Sequence, residues 1–125
     1  MATYINDLGQ AALVKPSLAP QTIETSNPIG SAADLGEGDG ACFAIQVIGA
    51  VNGEPGLAGR IEESNDQTTW AAISGAVFAA ATAPATQVIR FLRSRRYVRW
   101  AGAYQPGEGD TIAASAIVLQ CKKTI

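Results

Sequence analysis

The stretch Gln87-Val-Ile-Arg-Phe-Leu-Arg-Ser-Arg-Arg-Tyr-Val-Arg-Trp-Ala-Gly-Ala-Tyr104 decides the fold, because it reads either as one cationic helix or as two strands. It holds five of the nine basic residues and four of the eight aromatics, so its reading also decides where function is sought. As a helix, Val88, Ile89, Phe91, Leu92, Tyr97, Val98 and Trp100 do not keep one stripe, since Arg93–Arg96 interrupts it. As strands, Val98, Trp100, Gly102 and Tyr104 share one face, and Tyr97, Arg99, Ala101 and Ala103 share the other. Leu92–Arg95 then becomes a connection, with Arg93, Arg95 and Arg96 at a loop tip and Arg99 on an outer face. Membrane-lytic and calmodulin-target readings need an amphipathic helix and fall away.

The punctuation around this stretch agrees with strands. Ala41–Val51 is a strong apolar run ended by Asn52-Gly53, with Pro55-Gly56 close behind. Leu57–Ser64 is expected to be its hairpin partner. Further strands are expected at Trp70–Ile73 and Ala76–Ala80 (with Ser74-Gly75 as a turn), Gln87–Phe91, Arg96–Tyr104 and Thr111–Cys121. Turn signals at this spacing indicate an all-β sandwich or barrel.

Residues 1–40 differ. A short apolar island containing Leu13 and Val14 precedes Pro16, Pro20 and Pro28, then the acidic, Gly-rich run Gly30–Gly40. Prolines at this density bias the chain toward extended conformations. The expectation is an extended N-terminal arm and loop over 1–40, adding one strand around Gln21–Thr25, before a sandwich domain over 41–125. Leu13 and Val14 are candidate contacts of that arm with a neighbouring subunit.

At 125 residues the chain is one domain with enough surface to bury a core. Net charge is −2, with acids concentrated before residue 60 and arginines between 60 and 99. That segregation suits head-to-tail contact between copies or an acidic partner. There is no histidine, so His-based acid–base chemistry and Ser-His-Asp triads are excluded by composition. Glu62 and Glu63 are adjacent on an expected strand, point to opposite faces and read as a solvated edge, not a glycosidase pair. Gly36–Gly40 lacks the lysine and helix of a phosphate loop. A calcium site there is a minor alternative. Cys42 and Cys121 do not make a disulfide framework and are expected to be buried thiols. No secretory signal and no membrane-spanning apolar run is visible, and no cofactor, metal or enzymatic activity is expected. Ser64–Trp70 resembles an Asp-box hairpin, which is a brace and not a site.

The order Arg60–Ile73, then Gln87-Val-Ile-Arg-Phe91, then Arg95-Arg-Tyr-Val-Arg99 resembles small virion proteins of tailed bacteriophages. Their pattern runs roughly ES-x-D-G-x-T-W-x-x-I … R-Y-V-R on adjacent strands. The resemblance covers residues 41–121 and departs at Gln67, where the pattern prefers glycine. It implies a jelly-roll-like β-sandwich and a head decoration or cement protein on the outer capsid surface, often trimeric. The partners implied are the major capsid protein and further copies, with Arg93, Arg95, Arg96 and Arg99 as contacts to protein. A tail or baseplate module with Trp70 or Tyr104 as a sugar-stacking platform is the second reading. Nucleic acid is a third, disfavoured by the negative total charge, and no membrane contact is expected.

Overall fold

The computed structural model describes residues 12–36, 40–53 and 56–121. Among the described residues eight strands form and no helix: β1 (Ala12–Ile23), β2 (Ala33–Asp34), β3 (Gly40–Asn52), β4 (Leu57–Ser64), β5 (Ala71–Val77), β6 (Ala85–Arg93), β7 (Tyr97–Tyr104) and β8 (Thr111–Cys121). They make two four-stranded antiparallel sheets, β1-β8-β3-β6 (sheet I) and β2-β7-β4-β5 (sheet II). Of the seven connections, only β4–β5 is a hairpin within a sheet; the others cross between sheets. Two sheets in this order, wound together from end to end, are the topology of a jelly roll.

Several expectations are corrected by this winding. β3 pairs with β6 and β8, not with β4. Asn52-Gly53 therefore begins a crossing between sheets, with Gly53 at φ +81°. Ser74-Gly75 is not a turn: Ala71–Val77 is one strand whose register slips between Arg60↔Val77 and Glu62↔Ala72. The N-terminal region does not stand apart as an arm from Ala12 onward. β1 forms the edge of sheet I against β8, and residues 27–34 run beside β7, with Ile29 bridging Ala101. The prolines explain the misreading, because an edge strand tolerates proline on its solvent side as well as an arm does.

The core lies between the sheets and centres on Trp100, which is fully buried. Its indole Nε1 donates to Gln46 Oε1 (2.7 Å), and Gln46 Nε2 donates to Gln87 Oε1 (2.6 Å). A buried amide is held here because every polar atom of the chain of three finds a partner. Gly59 and Gly102 face each other across β4 and β7, and a Cβ on either would strike the Trp100 ring. The bare backbone at these two positions makes the room in which the indole lies. Cys42 is buried on β3, and the register sets it opposite Gln120, not Cys121.

The hairpin Ser64–Trp70 is a brace, as its sequence indicates. Ser64 Oγ donates to Asp66 Oδ1 and accepts from the amides of Asp66 and Gln67, while Asp66 Oδ1 accepts from the amides of Thr68 and Thr69 (2.9 Å each). Gln67 sits at φ +60°, the left-handed region that costs a non-glycine residue about 1 kcal/mol or more. Gln67→Gly is therefore expected to stabilise the protein by about 1 kcal/mol, read as a higher urea midpoint at unchanged slope. A lower midpoint would show that the Gln67 side chain contributes more than its backbone costs.

Candidate functional site

The arginines proposed as partner contacts are largely engaged within the chain. Arg93 ends β6 at the crossing between the sheets and is 4% exposed, not at a loop tip. Its guanidinium donates to Gln120 Oε1, to Leu35 O (3.1 Å), to Gly36 O (3.0 Å) and to Arg95 O (2.9 Å). β6 and β7 belong to different sheets, so the chain dives between layers at 93–96 and carries this side chain inward. Strand alternation read along one stretch cannot show that. Arg95 lies 3.9 Å from Glu63, whose carboxylate also accepts from Ser94 N (2.8 Å) and Ser94 Oγ (3.0 Å). Arg96 makes a two-point pair with Asp34 (2.8 and 2.9 Å), tying β2 to the start of β7.

Arg99 does face outward, and Glu62 receives it at 2.8 Å while also pairing with Arg60 at 3.0 Å. Glu62 is 8% exposed on an interior strand of sheet II, which corrects the solvated-edge reading. The Arg99 guanidinium lies 4.2 Å from the Trp70 ring centroid, so one face of that ring is covered. Tyr104 is 1% exposed and cannot serve as a stacking platform. Its burial, with the charge of Asp110, raises the phenol above its usual range. Val14 is 52% exposed on β1, where Leu13 pairs with Gln120; the Leu13 side chain lies outside the described residues, as do residues 1–11 and 37–39.

Two carboxylates report this internal pairing. Hydrogen bonds from the Arg96 side chain and the Gly36 amide hold Asp34 at about 2, and the amides of Thr69 and Thr68 with the Ser64 hydroxyl hold Asp66 at about 2. Folded values below the unfolded one mean stability present above about pH 4 and lost as pH falls toward 2. Asp66→Asn is expected to flatten that acid loss in a series of urea midpoints between pH 5 and 2. An unchanged slope would remove Asp66 from the acid response.

What the sequence reading missed is the outer face of sheet I. Cys42, Ala44, Gln46 and Ile48 point into the core, so Phe43, Ile45 and Val47 point out. The register brings Leu119, Ile117 and Val14 beside them on one flank, and Leu92, Arg90 and Val88 on the other. Val14, Val47, Val88 and Leu92 are 42–69% exposed, and Arg90 is the one charged side chain among these. A notch of about 140 Å³, lined by Pro20, Gln21, Val47, Gly49 and Ala113–Ser115, indents the face where β1 slips register against β8. The outer side of sheet II, with Arg60, Glu62, Arg99 and Tyr97, is polar by comparison. A signal for this existed: Ala41–Val51 and Ile112–Leu119 are nearly continuous apolar runs, the mark of strands covered on both faces. Within one chain they are covered on one.

Among the described residues, no group of three or more Cys, Asp or Glu side chains is placed to hold a metal ion, and no helix is long and apolar enough to cross a membrane. No protein-family model matches the chain, and no curated protein matches it.

Proposed function

We propose that the protein is a structural component of a tailed-phage virion, decorating the outside of the head and bridging neighbouring major capsid subunits. The observation that supports this most is the apolar outer face of sheet I, because an extended, nearly uncharged sheet face is a docking surface and not a solvent face. The sequence resemblance over residues 41–121 points the same way, and the charged residues that carry it act as a frame within the jelly roll, pairing Arg60 and Arg99 with Glu62 and Arg96 with Asp34. The jelly roll itself does not choose, since capsid and sugar-binding domains both use it. The tail-module reading loses Tyr104 as a platform and keeps only a Trp70 whose ring is already stacked. Many copies, as a homotrimer or otherwise, add modest contacts into a strong grip by multivalency.

The test is binding to undecorated heads. Val47→Asp and Val88→Asp, both at exposed positions, are expected to leave unfolding unchanged and to weaken binding about 30-fold or more, the scale of an interface hot spot. Arg95→Ala is expected to bind within a few-fold of the native chain. Full binding by both aspartate variants, or particle density confined to the tail or interior, would overturn the proposal.

A further inference from the structure

The two sides of the sandwich are closed differently. On one side β1 and residues 27–34 are stitched together: Ser17 Oγ donates to Ser31 O (2.8 Å) and accepts from Trp100 N (2.8 Å), and Ser31 N donates to Ser17 O. On the other side β5 and β6 are the outermost strands of their sheets. Each is laddered on one edge only. Between Ala72–Gly75 and Arg90–Leu92 they stand apart around a cleft of about 460 Å³. The cause is local: the register slip of β5 against β4 pushes Ile73–Ala76 out of the ladder, with Gly75 at φ +79° absorbing the bend.

The cleft has the features of a peptide groove. Ile73 and Phe91 are buried in it, and Leu92, 69% exposed, forms its lip. Glu63 is engaged by Ser94 and Arg95, so Arg90, on the exposed side of β6, supplies the cleft's available charge. An edge strand beside a slot with both apolar and charged lining recruits an extended segment by main-chain pairing, with the slot selecting side chains.

We propose that this cleft takes residues Met1–Ala11 of a neighbouring copy, added as a strand along β6. The segment carries Tyr4, Ile5 and Leu8 with no proline, and Asp7 is its one charged side chain, complementary to Arg90. Its starting point favours a neighbour. β1 begins at Ala12 opposite Cys121, on the edge of sheet I farthest from β6. Eleven residues span at most about 36 Å. To enter its own cleft the segment would have to cross three strand spacings, about 14 Å. This inference does not depend on the capsid reading, since it concerns copies of the chain alone.

Light scattering and sedimentation of the full chain test it. Self-association is expected, weakened at least 10-fold by Arg90→Glu and by Asp7→Lys singly, and restored when both substitutions are made together. The restored pair separates pairing from a folding defect, and Val47→Asp is expected to associate normally. A native chain that is monomeric at all concentrations, or a double variant no better than the singles, overturns the proposal. Normal head binding beside that failure leaves the capsid reading standing, and self-association without head binding removes the capsid reading alone.

Discussion

Arg93→Ala is expected to lower the free energy of unfolding by about 3 kcal/mol, seen as a fall of roughly 1–2 M in the urea midpoint at an unchanged slope. The side chain is a plug at the corner where β6 leaves sheet I for β7 in sheet II. It satisfies the carbonyls of Leu35, Gly36 and Arg95 and the amide oxygen of Gln120, the first and last of them buried. Removing it strands the buried acceptors Gln120 Oε1 and Leu35 O, at about 1–3 kcal/mol for each one left fully buried, with local relaxation recovering part. Arg93→Lys is expected to rescue less than half, because an ammonium on a flexible stem cannot present the planar fork that reaches four acceptors. A loss below about 1 kcal/mol for Arg93→Ala would show that the 93–96 corner is held by other contacts.

Gly59→Ala is expected to cost a similar amount, about 3 kcal/mol, at the upper end of overpacking. A Cβ there would stand 2.1 Å from Gln46 Oε1 and 2.3 Å from Trp100 Nε1, far inside contact distance. The amide end of Gln46 could swing in isolation. It is bound to the indole and to Gln87, so moving it breaks the hydrogen bond that keeps the buried indole N–H satisfied. Gly56→Ala, where nothing lies within 4 Å, is the control and is expected to be near neutral. Equal effects at the two positions would mean that the Trp100 slot is softer than its geometry indicates.

These variants bear on how much of the molecule is written locally. The alternation of Val98, Trp100, Gly102 and Tyr104 against Tyr97, Arg99, Ala101 and Ala103 identifies a strand and its buried face, and both hold in the fold. So do the all-β class and the braced hairpin at Ser64–Trp70, whose hydrogen bonds all close within a few residues. The candidate contacts read less well. Arg93, Arg95, Arg96 and Arg99 look available in sequence because their partners, Leu35 and Gly36, Glu63, Asp34 and Glu62, lie 32 to 62 residues away. Charge density marks where pairing happens, and it does not say whether the pairs are internal.

The sequence by itself determined the absence of histidine, the period of its strands, the face of β7 that is buried and the turns that close on themselves. Only the tertiary structure decided which strands share a sheet, and with that the burial of Arg93, the use of each arginine, and the exposure of Val14, Val47, Val88 and Leu92. The reason is physical. A strand's period follows from its own backbone, whereas its neighbours follow from six crossings between sheets, each brought about by packing that no local window contains. The stretch 87–104 thus supplies an inner frame through β7 and, through Val88 and Leu92 of β6, part of the apolar outer face of sheet I.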